Sequence, residues 1–474
     1  MASRRDCRYA ATSVGGAGRE FRWERRGAVS GVDNGARRRL PVHVLRHRDY
    51  RYIWMGQFVS MLGTQMHAAA LSWQVYQMTG SAVQLGLLGL IRAIAVMSTS
   101  LLGGAVADAF NRRRVLLVTQ AMLMLLSAAI AVVTMSGSVT IWFLYVIAAL
   151  AAATSAFDGP ARAALIPGLV PRVELAPAMS LNMLVFSVAR MVGPAVGGIA
   201  VAQVGLSGTY WLDAGSFLFV IAALAMMQTR LEPPVVRGNH LEAIVEGLQF
   251  IRRTPVIWGV ILLDFLATLL GSTVGLAPIF ATDVLKIGPE GFGLLLSAPA
   301  AGAVLGGVLI SLVPQPERPG MVMVGAVVGY GAGLMLFGAS TTLLVALLAL
   351  AGAGAADSIS VAMRAVIRNL ATPDPLLGRV AAAHSAMAMG GPRLGEFQSG
   401  VMAGAVGPRI AMIAGGAAVV VVSLAMGALV PKMSRSRLDE LDAEAAARDQ
   451  RWGHGGESAT TSGSAGQAGS GGDQ

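Results

Sequence analysis

From about residue 52 the chain alternates between long apolar runs and short polar gaps. The runs cover approximately 52–75, 82–106, 115–136, 140–157, 181–204, 208–227, 256–280, 291–312, 321–338, 343–363, 382–406 and 409–430. Crossing a hydrocarbon layer of about 30 Å takes about 20 residues of helix, so the pattern predicts twelve transmembrane helices. Within each run the apolar residues are continuous rather than alternating, which excludes a membrane β-barrel. The widest interior gap, 228–254, divides the runs six and six. The predicted fold class is an all-α membrane protein with twelve helices in two six-helix bundles.

The same pattern sets the domain plan. Residues 1–51 and 431–474 are predicted to be disordered tails, and 52–227 and 256–430 the two bundles. Residues 228–255 form a joint in which Leu241, Ile244, Val245, Leu248 and Ile251 follow helical spacing, predicting a short amphipathic helix on the membrane face. The halves carry a faint repeat. Leu85-Gly86-Leu87-Leu88 opens the second run and Phe292-Gly293-Leu294-Leu295 the eighth, while Gly103-Gly104 and Gly306-Gly307 fall late in those same runs. Two six-helix repeats meeting at a site in mid-membrane is a transporter plan.

Composition agrees. Hydrophobic residues make up 54% of the chain and charged residues 13%, against about 25% charged in soluble domains. The net charge of +10 raises the question of nucleic acid, but its placement answers it. Arginines crowd the N-terminal tail, the 107–114, 158–172 and 228–254 loops, the 364–379 stretch and the C-terminal tail, whereas the intervening loops hold only Lys286 and Arg409. Such alternation is the positive-inside rule. It predicts a multi-pass protein of the cytoplasmic membrane with both termini in the cytoplasm, the lipid bilayer as partner and no nucleic acid. The single cysteine, Cys7, allows no internal disulfide, and six scattered histidines show no metal-ligand spacing. No metal or cofactor is expected. An Asp-rich metal motif or a nucleophile arrangement that would mark a membrane-embedded enzyme is not seen.

The gap between the second and third runs reads Gly104-Ala-Val-Ala-Asp108-Ala-Phe-Asn111-Arg112-Arg113-Arg114-Val-Leu116. It resembles the signature loop of the major facilitator superfamily, with Gly104, Asp108, Arg112, Arg113 and Leu116 at matching places and Ala109 and Asn111 replacing an Arg and a Gly. Asn tolerates a left-handed turn, so Asn111 is expected to adopt one. Asp108 is expected to act as a latch against the positive N-terminus of the eleventh helix, with the arginines holding neighbouring loops and lipid phosphates. The alternative is that these charges serve topology alone. Asp158-Gly-Pro-Ala-Arg162, with Pro167, Pro171 and Asn182 after it, resembles the fourth-to-fifth loop of the branch containing the bacterial enterobactin exporters. Thr372-Pro-Asp-Pro-Leu-Leu-Gly378-Arg379 is similar to that branch's second-half loop. Arg190-Met-Val-Gly193-Pro194-Ala-Val-Gly197-Gly198 is similar to the antiporter motif of proton-coupled exporters, its glycines permitting close packing and its proline a bend.

Six ionisable residues fall deep inside the runs: Arg92, Arg190, Asp264, Asp357, Arg393 and Glu396. Each costs on the order of 3 kcal/mol at mid-bilayer, so each is expected to face a cavity or a partner. The first half supplies two arginines and the second all three acids, which points to pairing across the halves. Arg92 with Glu396 is one pairing, and Arg393 with Glu396, three apart on one helix, is the other. Asp264 has no opposite charge within a turn. Either it carries a proton, as burial of a carboxyl permits, or it hydrogen-bonds a neighbouring helix. Glu396 and Asp357 are the further proton candidates, and Arg92, Arg190 and Arg393 the candidates for substrate or interhelix charge. Asp213 is expected to be an interfacial cap, and Trp54, Trp73, Trp142 and Trp211 to form interface belts.

The resemblance implies a monomeric secondary transporter that exports a small amphipathic molecule, siderophore-like, in exchange for protons. A broad multidrug pump is the alternative, and a transport-inactive sensor or scaffold a third reading.

Overall fold

The computed structural model describes residues 41–229, 248–272, 274–314, 316–373 and 376–435, and these are helical, with no strand among them. The main helices are α1 (Arg48–Thr79), α2 (Ala82–Ala109), α3 (Arg112–Met135), α4 (Ile141–Leu165), α5 (Leu175–Met226), α6 (Pro255–Leu270), α7 (Gly288–Leu312), α8 (Pro319–Ala339), α9 (Leu343–Ala371), α10 (Leu377–Val406) and α11 (Pro408–Leu429). The polar gaps supply their ends. The Thr140 side chain accepts the Phe143 N–H at the start of α4. Gly407, with φ of 86°, closes α10. Pro408 then opens α11 at a position where its missing N–H costs nothing.

Among the described residues eight helices are long and apolar enough to cross a membrane, and Pro255–Leu270 is apolar but shorter. Helices α1 and α10, of 32 and 30 residues, are long enough but more polar. Their polar residues turn inward: Gln57, Ser60 and Gln74 of α1 and Glu396 and Ser399 of α10 are buried. Helix α5 is far longer than one crossing needs, at 52 residues, and its backbone breaks at Gly205, with φ of 74° and ψ of 179°. Only glycine enters that region at little cost. Gly197 before the break and Asp213 after it both reach the same turn of α1, against Met66 and Gly63, so α5 folds back on itself as two limbs.

The predicted seventh run, 256–280, is not one helix. It stops at Gly271 and resumes as short turns, Val274–Leu276, Ala277–Ile279 and the π-helical Phe280–Val284. A broken backbone inside a membrane must find polar partners, and the Tyr330 hydroxyl donates to the Gly271 carbonyl at 2.6 Å. At the N-terminal end, structure starts inside the segment expected to be a tail. Pro41–Arg46 forms a 3-10 turn, Val44 and Tyr50 are buried, and Arg46 and His47 grip Glu174, His47 at 2.8 Å. At the other end a short helix, Pro431–Arg435, follows α11. Of the predicted joint helix, Ile251 is fully buried within a helical stretch from 248 to 253, while Leu241, Ile244 and Val245 lie outside the described residues.

Within the first half α1 packs on α5, α2 on α4, and α3 on α4 and α5; within the second, α7 packs on α9, α8 on α9 and α11, and α6 on α10 and α11. Among the described residues the halves meet chiefly where α2 crosses α10 and α5 crosses α7. Both are lined by glycine. A methyl group on Gly400 would lie 2.6 Å from the Ala82 carbonyl oxygen and 2.7 Å from Gly86 Cα. One on Gly293 would lie 2.5 Å from the Pro194 oxygen and 3.1 Å from Gly198 Cα. Backbones that close gain dispersion contact over their whole length, which is what holds helices together where both lipid and side chains are apolar. Trp73 stacks obliquely on Phe292 at 5.1 Å beside these crossings and is buried. It is thus a core residue rather than a belt residue, whereas Trp142 is exposed.

Gly400→Ala is expected to destabilise the protein by about 1–3 kcal/mol through overpacking, measured as a fall in the thermal midpoint in detergent. Gly352→Ala, where an added methyl meets nothing within 4 Å, should leave it unchanged or raise it.

Candidate functional site

A cavity of about 290 Å³ lies among α1, α3, α4 and α5, with Thr64, Gln65, Gln120, Asp158, Arg162 and Arg190 supplying its polar wall. Asp158 and Arg162, expected in a loop, sit inside α4, which runs on through Pro160 to Leu165. The Asp158 carboxylate accepts from Gln120 at 2.7 Å, from Thr119 at 3.2 Å and from Arg162 at 2.5 Å. Arg190 stands over the Phe186 ring at 5.6 Å. With two guanidinium groups against one carboxylate, the wall carries a net positive charge, and one of its cations is committed to Asp158.

The remaining antiporter-like residues shape this wall and the seam behind it. Gly193 gives room to Gln65 of α1 and Gly197 to Met66, while Gly198 faces Pro289 and Gly293 of α7. Beside Pro194, the Ala195 N–H donates to Ser297 of α7 at 3.0 Å, a backbone-to-side-chain bond between the halves.

The second-half acids form a separate cluster. Asp264 of α6 is buried and ion-paired with Arg364 of α9, whose other nitrogen lies 3.4 Å from Asp357 Oδ1. Asp264 therefore does have a cationic partner. The partner comes from a different helix, because α9 runs to Ala371 and carries inside it an arginine that the sequence pattern assigns to the following polar stretch. Asp357 is held more loosely, with its side chain 49% exposed. Arg190 of the first half lies within its electrostatic reach, with no ion pair between them. His384 of α10 faces Arg364 and Arg368.

Arg92, Arg393 and Glu396 meet where α2 crosses α10. Glu396 is buried against Gly89 of α2. Neither expected pairing forms: no nitrogen of Arg92 or Arg393 comes within 4.0 Å of the Glu396 carboxylate among the described residues. Arg92 stays within electrostatic reach of both Arg393, which repels it, and Glu396, which attracts it.

At the signature loop, Gly104 and Asp108 fall in the last turns of α2, and their surroundings lie outside the described residues. The loop arginines bind helix ends. Arg112 donates to the Ala164 carbonyl at 2.8 Å and Arg113 to the Ala225 carbonyl at 3.0 Å, satisfying orphan acceptors at the negative C-termini of α4 and α5. Asn111 is extended, at φ −60° and ψ 115°, rather than left-handed. Its side chain caps α3 by accepting the Arg113 and Arg114 N–H groups, the stronger preference of Asn at such a position.

Asp213 is no interfacial cap. It is 1% exposed, 3.0 Å from His67 Nδ1, and accepts the Ser127 hydroxyl at 2.6 Å. Sequence reasoning missed His67, Arg364 and the cavity-facing role of Arg162. The available signal was a polar residue within, or at the margin of, an apolar run.

The family described as transmembrane secretion effector matches residues 41–459. The enterobactin exporter EntS of Citrobacter koseri (strain ATCC BAA-895) is 24% identical over 391 residues, covering 82% of this chain and 94% of that protein. The same exporter of Escherichia coli O1:K1 is 22% identical over the same shares. Among solved structures, a bacterial homologue of the human lysosomal transporter Spinster, inward-facing and unoccupied, superposes with a TM-score of 0.66 at 14% identity, covering 82% of this chain and 99% of that one. A POT family transporter in complex with 5-aminolevulinic acid gives 0.65 at 11%, covering 82% and 97%.

Removing one partner of a buried ion pair typically costs about 3–5 kcal/mol. Arg364→Gln should therefore lower the thermal midpoint or the yield of folded protein sharply. Arg364→Gln combined with Asp264→Asn should recover much of the loss. Equal losses in the single and double variants would show that the pair does not hold α6 to α9.

Proposed function

The chain belongs to the transmembrane secretion effector family of major facilitator transporters, and from that premise we propose that it exports a small, hydroxyl-rich amphipathic molecule in exchange for protons. It is a multi-pass membrane transporter. The described helices are read as twelve crossings: α1 to α4, the two limbs of α5, α6 with the turns that follow it, and α7 to α11. Basic loops put the termini and the 228–254 joint in the cytoplasm, so the glycine crossings near the starts of α2 and α7 lie on the outer side.

The observation that carries the reading is that Arg190 belongs both to the cavity wall and to the surroundings of Asp357. The sign of coupling constrains the ligand. Antiport requires proton and ligand to exclude one another. A ligand anion held by Arg190 alone does the opposite, because protonating Asp357 removes the negative charge that competes with it for Arg190's field. A ligand that donates O–H groups to the Asp357 carboxylate meets the requirement, since protonation removes the acceptor's charge. Neutral catechol or hydroxamate groups do this, while Arg190 and Arg162 donate to their oxygens. That chemistry fits the siderophore handled by the enterobactin exporters. Asp357, half exposed and loosely held, is ranked ahead of Asp264 and Glu396 as the proton carrier. Asp264 is clasped by Arg364, and Glu396 is packed into the α2–α10 crossing. Asp108 is retained as a latch at the cytoplasmic end, alongside the helix-capping arginines.

The test is proteoliposomes with an imposed pH gradient, loaded with enterobactin or with ethidium. Wild type should drive uphill export of the catechol. Asp357→Asn should abolish the response to the gradient yet keep downhill exchange. Arg190→Gln should raise the half-saturating concentration about tenfold, the loss of one charged hydrogen bond. Undiminished uphill export by Asp357→Asn would remove it as the carrier, and preference for ethidium would favour a multidrug pump.

A further inference from the structure

A second cluster of titratable groups is buried in the first half. His67 of α1 places Nδ1 3.0 Å from Asp213 Oδ2, on the second limb of α5. Ser127 of α3 donates to that same oxygen at 2.6 Å and lies 3.3 Å from His67 Nδ1. The other ends of the pair are bare: Asp213 Oδ1 and His67 Nε2 are buried and have no hydrogen-bond partner. Gly63, one turn before His67, leaves the space that the Asp213 carboxylate occupies against α1. A carboxylate this deep beside a neutral imidazole is an uncompensated charge, and a buried charge without a counter-charge is costly. Taking up a proton at the bare Nε2 would turn the pair into imidazolium and carboxylate and supply the missing counter-charge.

The other groups facing the cluster are few. Tyr210, whose ring meets His67 edge-on at 5.1 Å, donates to Gln74 at 2.7 Å. Gln74 in turn donates to Thr134 of α3 at 3.2 Å. Tyr210 is also within electrostatic reach of Arg92 of α2.

The position of the cluster matters more than its chemistry. Thr64, Leu123 and Phe217 line the cavity. His67, Ser127 and Asp213 lie one helical turn beyond them on the same three helices, α1, α3 and the second limb of α5. The cluster is the floor under the cavity. We infer that His67, Asp213 and Ser127 form a proton-binding site distinct from the second-half acids, whose protonation fastens α1 to the second limb of α5 beneath the cavity and so links proton uptake to the cavity's occupant. The link to transport rests on the antiport reading above; the proton site itself does not.

Two arms separate the two ideas. The first needs no substrate: the purified protein with ¹⁵N-labelled histidine is titrated from about pH 5 to 9, the range in which imidazoles change charge. His67→Gln, or His67→Asn should the first not accumulate, identifies the resonance. The site is supported if the His67 signal passes between imidazole and imidazolium and if Asp213→Asn moves its midpoint. A His67 signal fixed in one form throughout overturns it. The second arm is gradient-driven export of enterobactin in proteoliposomes. His67→Gln should lose at least about tenfold of the rate gained from the gradient, a change of about 1.4 kcal/mol, while keeping downhill exchange. A wild type indifferent to the gradient would overturn the antiport reading and leave the titration standing. A responsive wild type matched by His67→Gln would overturn the coupling role of this site alone.

Discussion

Where α2 crosses α10 and α5 crosses α7, backbone lies against backbone at paired glycines. Gly86 faces Gly400, and Gly198 faces Gly293. In a hydrocarbon solvent there is no hydrophobic force to press helices together, so close approach of small residues and a few hydrogen bonds must do it. Such a contact is smooth. Without interlocked side chains two halves can separate and meet again at little cost in side-chain order, whereas an interdigitated leucine seam would have to unpack. The polar bonds that accompany the crossings are few and specific: Ala195 to Ser297, and the Tyr76 hydroxyl to Asp283 at 2.5 Å.

Charge is distributed to suit that seam. Most buried ions find partners within their own half: Asp158 with Arg162, Asp264 with Arg364, Asp213 beside His67. Arg112 and Arg113 are spent on the carbonyl ends of α4 and α5, which stiffens the first half as a unit. What faces across is weaker. Arg190 reaches Asp357 without closing an ion pair, and Arg92, Arg393 and Glu396 sense one another without bonding. Strong bonds inside each half and weak ones between them favour motion of whole halves over rearrangement within either.

Much of this was legible in the sequence, and the residues show why. The repeated tetrapeptides around Gly86 and Gly293 mark the two glycine crossings, and Gly103 and Gly306 close equivalent contacts with Ala156 of α4 and Ala355 of α9. Glycine placement is visible in sequence because nothing else substitutes for it at such a contact. Partnerships were less legible. Asp264 looked solitary because its partner, Arg364, is 100 residues away and near the end of its helix. Asp213 read as a surface cap because its apolar run begins nearby, while its burial depends on the fold-back at Gly205 and on the gap left by Gly63. Asn111 offered two roles, a left-handed turn or a helix cap, and the N–H groups of Arg113 and Arg114 decided for the cap.

The central claim is that the two halves part and rejoin along the glycine crossings as the protein works. A methyl group on Gly404 of α10 would lie 2.7 Å from Val83 Cγ2 of α2, at the edge of one crossing, so cysteines at these two positions sit within bridging range. With Cys7→Ser removing the native thiol, Val83→Cys and Gly404→Cys can be oxidised in proteoliposomes while transport is followed. Transport lost on oxidation and restored by reductant is the result this architecture predicts. Fully bridged protein that transports at the unbridged rate would contradict it.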